Sequence, residues 1–507
     1  MIDLGALGDA FSLLFSSFQP WMVVVPGLII GLLFGSVPGL QTSMAMAVFL
    51  PATLGMDFLS ALLFLTAIFT GGMFGGGVSA ILMNIPGTSS AVATTFDGFP
   101  MARSGRPSEA LGIALGASTV GTAFGYMTLL LLIEPLTSVV LKLGPTEMFV
   151  VILWGLTLIA ALRGKFMARS ILAGTMGLLI GTIGMSPNAV IRGTMGSPFL
   201  LDGVPVIPAM IGMFAASELF SIAGGGYLVD SKDKNSISLK RILSGIGEAL
   251  RMPVTLLRGS VYGVLIGAIP GVGSSVANLV SYGDAHRRAG SPDSFGKGDP
   301  RGIAASESAN SSSEGGGMVA LFALGIPGGA GTAVLLAAFS MHNITGGPRF
   351  LSEQTDIVYA VILANIVQAL LLLFVGIFLM HLMSSVVKVP LRILIPSVLV
   401  LATFGAFGLT GTMAGPITLL VFALFGWLLR KYEYSVAAAV IGLLLGNMAE
   451  GELLRSFQIS GGNFDYVWSR PITLGLFVLL ILSLFLPWVM ARLQKRVRRR
   501  IEHSSHE

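Results

Sequence analysis

Apolar runs dominate the chain, and short polar interruptions punctuate them. The runs cover residues 17–37, 58–74, 108–133, 146–162, 168–185, 206–224, 254–270, 355–383, 392–409, 412–429, 434–449 and 471–491. Two weakly polar stretches, near 75–95 and 314–340, are broken by glycine and proline. A hydrocarbon layer of about 30 Å takes about 20 apolar residues per helix, so most runs are long enough to cross one or nearly so. The pattern predicts an all-α integral membrane protein with about 10 to 14 helical segments. Three connections are substantially polar. One spans 228–251 with Lys232, Lys234, Lys240, Arg241 and Arg251; one spans 284–302 with Arg287, Arg288, Lys297 and Arg301. The third is the tail from Arg492. Basic residues gather on the cytoplasmic side of membrane proteins, which predicts that all three face the cytoplasm. Trp21, Trp427, Trp468 and Trp488 lie near the ends of apolar runs, where interfacial tryptophans sit.

Composition sharpens this picture. Of 507 residues, 54% are hydrophobic and 11% charged, against about 25% charged in soluble domains. The 66 glycines allow close helix crossings and breaks inside the membrane. There is no cysteine, which excludes disulfides, thiolate metal sites and cysteine nucleophiles. The net charge of +5 is concentrated in the polar connections and the tail, so it describes orientation and not a nucleic-acid surface. No basic region precedes the first apolar run, so no cleaved signal peptide is expected there.

The chain repeats itself. GLLFGSVPGLQTS from Gly31 corresponds to GVLIGAIPGVGSS from Gly263, an offset of 232. GGG-x₇-IPG from Gly75 corresponds to GGG-x₈-IPG from Gly315, with Pro86 mapping to Pro327 at an offset of 241. GLLIGTIG from Gly177 resembles GLLLGNMA from Gly442 at an offset of 265. This order predicts two structural repeats, 15–225 and 252–491, joined by a basic linker at 226–251 and followed by a basic tail at 492–507. Opposed hairpins meeting near the membrane midplane favour an inverted relation between the repeats.

Each repeat carries two Pro-Gly breaks inside apolar sequence, at Pro38, Pro86, Pro270 and Pro327. Proline removes a donor and clashes with the preceding turn, and glycine tolerates positive φ, so helices break or turn back there. Backbone freed in this way must be buried in protein or line a wet cavity. Small polar residues follow each break: Thr42 and Ser43 after Gly39; Thr88, Ser89 and Ser90 after Gly87; Ser274, Ser275 and Asn278 after Gly271; Gly329 and Thr332 after Gly328. Half-helix N-termini with a hydroxyl fringe suit a carboxylate, and unwound carbonyls suit Na⁺. The polar stretch GIAASESANSSSEGGG at 302–317 leads into the fourth break. As a helix it places Glu307, Asn310 and Glu314 on one face, which must line a cavity or the cytoplasmic mouth; as a loop it continues 284–302. Glu307 and Asn310 join the candidate binding residues. Glu134, Glu147 and Glu218, at the edges of apolar runs, read as interfacial or capping residues and only secondarily as proton-relay candidates. No phosphate loop, dinucleotide fingerprint or nucleophile elbow occurs, so an ATPase or enzyme is not indicated.

The stretches GSVPGLQTSMAMAVFLP, NIPGTSSAVATTFDGFPMA, AIPGVGSSVANLVSYG, FGKGDPRGIAASESAN and LGIPGGAGTAVLLAAF resemble the large membrane subunit of the tripartite tricarboxylate transporters. They stand in that family's order over nearly the whole chain. The sequence departs from the family pattern at 304–312, where APEAANNA is more usual, and at Gly329, where serine is favoured. The resemblance implies a permease in a bacterial inner membrane. Its implied partners are a small four-helix membrane subunit and a periplasmic solute-binding protein, and its task is to import citrate-like carboxylates on a sodium or proton gradient. No cofactor other than that coupling ion is expected. A passive anion channel, or a membrane-embedded enzyme acting near Glu307, are the rival readings.

Overall fold

The computed structural model describes residues 3–161, 167–222, 237–270, 273–290, 294–386, 391–463, 466 and 469–482. Gly271, Lys232, Lys234, Trp468, Trp488 and the tail from Arg492 lie outside these residues. The first helices are α1 (Leu4–Phe15), α2 (Gln19–Met22), α3 (Val24–Ser36), α4 (Thr42–Phe49), α5 (Phe58–Met83), α6 (Val92–Arg103) and α7 (Pro107–Val140). They are followed by α8 (Pro145–Ala161), α9 (Met167–Gly181), α10 (Val206–Ile211), α11 (Ser217–Ile222), α12 (Leu239–Leu250), α13 (Pro253–Gly267) and α14 (Gly273–Arg288). The last are α15 (Pro300–Leu324), α16 (Ala330–Met341), α17 (Pro348–Glu353), α18 (Thr355–Val386), α19 (Leu391–Thr410), α20 (Ala414–Lys431) and α21 (Val436–Ile459). Strand pairing among the described residues is confined to the two-residue strands Gly184–Met185 and Ile191–Arg192.

Among the described residues, six stretches are long and apolar enough to cross a membrane: Gln19–Ser36, Phe58–Met83, Pro107–Val140, Thr355–Met380, Ala414–Lys431 and Val436–Ile459. α12 and α13, bent by 78° where they join, add a seventh if counted as one span. Half of the basic linker is thus helical. Its sequence LKRILSGIGEAL alternates apolar and polar positions at helical spacing, and Leu239, Leu243 and Leu250 remain exposed beside Lys240 and Arg241. Several other apolar helices are shorter than a span, α4 and α16 among them, because each begins at a Pro-Gly break.

Two compact units form, Met1–Val140 with Pro205–Leu428, and Leu141–Val204 with Leu429–Glu507. Each draws helices from both halves of the sequence. In the larger unit the two main helix crossings repeat each other. α3 packs on α5 with Gly31 against the Ile68 carbonyl, Gly35 against that of Gly72, and Gly75 against that of Leu32. α13 packs on α15 with Gly263 against the Ala309 carbonyl, Gly267 against that of Ser313, and Gly316 against that of Val264. The offsets 232 and 241 carry every member of the first set onto the second. Any side chain at these glycines would strike backbone, which is why small residues recur there.

α5 and α15 also meet each other. Gly77 lies beside Glu307, Asn310 Nδ2 donates to the Met73 carbonyl at 3.0 Å, and Thr70 bonds Glu314. Rising numbers on one helix meet falling numbers on the other, so the two run antiparallel. The third sequence match obeys a different relation. In the smaller unit, Gly177 lies against the Ala439 carbonyl and Gly442 against that of Gly174, so α9 and α21 run side by side in parallel. Their likeness reflects a shared small-residue packing face. That unit also buries Glu147, which accepts from Gly144 N at 2.9 Å and Thr473 Oγ1 at 2.5 Å, and pairs with Arg470 Nε at 2.7 Å. The capping role expected of Glu147 is seen in its bond to Gly144.

α15 is the element that the sequence left open. Residues 302–317 form continuous helix, and Glu307, Asn310 and Glu314 are fully enclosed. Their helix is surrounded by α5, α6, α7, α13 and α14, so its polar residues meet other helices and not lipid.

Close packing at α12 gives a direct test. A Cβ at Gly245 would strike the Glu109 carbonyl, whereas nothing lies within 4 Å of one at Gly247. Gly245→Ala should therefore destabilise the protein by about 1–3 kcal/mol. Gly247→Ala should be neutral or stabilise by up to about 1 kcal/mol. Thermal unfolding in detergent reads both, and equal effects would contradict the crossing described here.

Candidate functional site

Three of the four helices leading into a break stop for a visible reason. α3 ends at Ser36, before Pro38, and Gly39 turns the chain with φ +89°. α5 ends where Asn84 adopts a left-handed conformation, and α15 ends at Gly325, likewise left-handed. New helices start directly beyond: α4 at Thr42, a 3-10 turn at Ser89–Ala91 leading into α6, α14 at Gly273, and α16 at Ala330. The first N–H groups of a helix lack intrahelical partners and carry the positive end of its dipole.

Contacts link the four breaks in turn, and helix packing closes the ring. Gly87 lies against the Gly35 carbonyl, joining the first break to the second. Ser275 Oγ donates to Ser89 Oγ at 3.1 Å, joining the second to the third. A Cβ at Gly328 would stand 3.1 Å from the Gly267 carbonyl, joining the third to the fourth. α16, which starts at the fourth, packs on α4, which starts at the first. Residues 230 or more apart in sequence are thereby brought to one place.

The candidate residues differ in what occupies them. Thr42 and Ser43 are buried, and Thr42 Oγ1 has no hydrogen-bond partner. Thr88 and Ser90 bond each other at 2.9 Å, while Ser89 is exposed. Ser274 and Ser275 are half-buried. Thr332 closes a cap, with its hydroxyl accepting from Gly329 N at 2.9 Å, and Gly329 is extended. Asn278 is committed to structure: Oδ1 accepts from Ala93 N at 2.8 Å and Nδ2 donates to the Ser306 carbonyl at 3.1 Å. It clamps α14 to α6 and α15.

Glu307 sits directly behind the second break, beside Gly77. Thr94 Oγ1 donates to Oε1 at 2.5 Å and Ser118 Oγ to Oε2 at 3.1 Å. No basic side chain pairs with it among the described residues. Nor does any group of three or more His, Cys, Asp or Glu there suit a metal ion. The sequence reading missed Thr94 and Ser118, since a hydroxyl in an apolar run does not disclose which carboxylate it meets. It also missed Asp97, which is fully buried and accepts from Gly298 N at 2.9 Å, Asp299 N at 2.8 Å and Tyr282 OH at 2.9 Å. Asp97 anchors the start of α15, where Asp299 caps the helix. Burial would raise the Asp299 carboxyl, but bonds from Arg301 and Ser294 hold it below the usual range.

If Asn278 is a clamp, Asn278→Ala leaves the Ala93 N–H and the Ser306 carbonyl without their partner. The loss should be about 1–3 kcal/mol. Thermal unfolding without substrate should show it, and an unchanged transition would return Asn278 to the ligand-binding candidates.

The chain matches the tripartite tricarboxylate transporter TctA family over residues 21–441. It is 30% identical to an uncharacterized 52.8 kDa protein in the TAR-I ttuC' 3' region of Agrobacterium vitis, over 89% of both chains. A second A. vitis protein, uncharacterized and in the TAR-II ttuC' 3' region, is 28% identical over 45% of this chain and 96% of its own. No solved structure matches. With the broken helices in place and the match running through all four of them, the chain belongs to the tripartite tricarboxylate transporter TctA family, as a multi-pass membrane protein.

Proposed function

We propose that this subunit is the permease of a binding-protein-dependent secondary transporter, importing citrate-like tricarboxylates or related carboxylates on a sodium or proton gradient. The ring of four breaks carries this reading. It gathers four helix starts and a hydroxyl fringe at one place inside an apolar unit. An anionic ligand is what such a place stabilises. The antiparallel pairing of α5 with α15, equivalent by sequence, supports an inverted relation between the repeats. In this reading the substrate sits in the ring at Thr42, Ser43, Ser89, Ser274 and Ser275, and Glu307 lies one layer behind. The basic connections face the cytoplasm of a bacterial inner membrane. A small four-helix subunit and a periplasmic binding protein complete the system.

Uptake of labelled citrate into cells carrying all three components tests this. Accumulation should exceed the outside concentration and fall to equilibration when the ion gradients are collapsed. Equilibration with gradients intact would contradict secondary transport.

The ring itself makes a sharper demand. Gly39 needs its positive φ, and Gly87 has no room for a side chain. Gly39→Val and Gly87→Val should abolish uptake while the chain still reaches the membrane. Normal uptake by both variants would reduce the breaks to kinks.

A further inference from the structure

A second carboxylate lies two turns along α15 from Glu307, about 10.5 Å by helical rise. Glu314 is fully buried, and its partners are hydroxyls alone: Thr70 Oγ1 donates at 2.9 Å and Tyr126 OH at 2.8 Å. The binding reading above makes no use of it.

Between the two carboxylates runs a polar seam. α7 and α15 lie side by side in the same direction. Ser118 bonds Glu307, Gly121 packs on Ser308, Gly125 packs on Ser312, and Tyr126 bonds Glu314. Ser118, Thr122 and Tyr126 follow at intervals of four, so they share one face of α7. Thr122 comes level with Asn310 and Ser311. Thr122 Oγ1, Asn310 Oδ1 and Ser311 Oγ are all buried and all lack a hydrogen-bond partner. Buried polar atoms are normally satisfied, and these three lie on the two helices that carry or face the acids, at levels between them. An ionised carboxylate in such surroundings, with no cation against it, costs several kcal/mol. Unbroken helix also leaves α15 few free carbonyls with which to coordinate Na⁺ around Glu314.

We infer that Glu307 and Glu314 are the two ends of a proton path along the α7–α15 seam, with Ser118, Thr122 and Tyr126 as its relay. The inference rests on the transport reading and names its coupling ion. A proton leaves one carboxyl, each hydroxyl or intervening water takes a proton on its oxygen and passes another on, and the far carboxylate ends protonated. Only O–H bonds are made and broken. Other ionisable groups around α15 stand clear of the seam. α5 and α16 carry none, and α7 adds Glu109 and Glu134 towards its ends. Asp97, Arg258, Tyr262, Tyr282, Asp284, Arg287 and Arg288 gather at the Pro300 end, and Arg349 and Glu353 lie on α17.

The test uses the complete system in membrane vesicles, with labelled citrate as the probe. Thr122→Val keeps the shape and removes the hydroxyl; Glu314→Gln keeps the shape and removes the exchangeable charge. Both should lower accumulation driven by a pH gradient about tenfold or more. Both should exchange internal for external citrate at close to the wild-type rate, which also shows that they fold. Tyr126→Phe should behave as Thr122→Val does. Full pH-driven accumulation by Thr122→Val would overturn the path even if Glu314→Gln failed to fold. Wild-type accumulation on a sodium gradient, with no accompanying proton uptake, would also overturn it and leave the transporter reading intact. Absence of any citrate movement in the wild type would instead defeat that reading.

Discussion

A helix broken inside an apolar layer exposes backbone groups that lipid cannot satisfy, and the larger unit is organised around that constraint. Four helices stop short there, and each broken end is covered by another broken end. Gly87 covers the Gly35 carbonyl, Gly328 approaches that of Gly267, and Ser275 bonds Ser89. The arrangement requires glycine at the contacts, because carbonyls approach where a Cβ would stand. It also gathers helix N-termini at one point.

The same logic explains how α15 can be so polar and so deeply buried. Its serines, amide and two glutamates would be costly against lipid. Surrounded by α5, α6, α7, α13 and α14, they meet hydroxyls and carbonyls contributed by those helices. Each glutamate accepts from two hydroxyls, and among the described residues no basic side chain pairs with either.

Much of this was legible in the sequence because backbone requirements leave marks on composition. The Pro-Gly pairs gave the breaks, and the offsets of 232 and 241 gave the equivalence that the helix crossings reproduce through Gly31 and Gly263, Gly75 and Gly316. The third offset misled, since glycine at every fourth position serves any close helix pair, and α9 and α21 are a parallel one. Side-chain partnerships were not legible. Asn278 resembles a ligand residue in sequence, yet its amide is spent on Ala93 and Ser306. Thr70, Thr94, Ser118 and Tyr126 lie in apolar runs like any other hydroxyl, and only the packing of α5, α6 and α7 on α15 assigns them to Glu307 and Glu314. Hydrophobic periodicity could not decide whether 302–317 was helix or loop, because burial on all sides removes the polar–apolar alternation that periodicity detects.

The central claim is that breaks from the two halves of the sequence meet in one ring. The contact between Ser89 and Ser275 tests it most directly, because the chain contains no cysteine of its own. With Ser89→Cys and Ser275→Cys combined, mild oxidation of native membranes should form an intramolecular disulfide. Citrate uptake should stop and return on reduction. Two thiols that stay free to alkylating reagents under oxidation, with uptake unchanged, would mean that the second and third breaks do not meet.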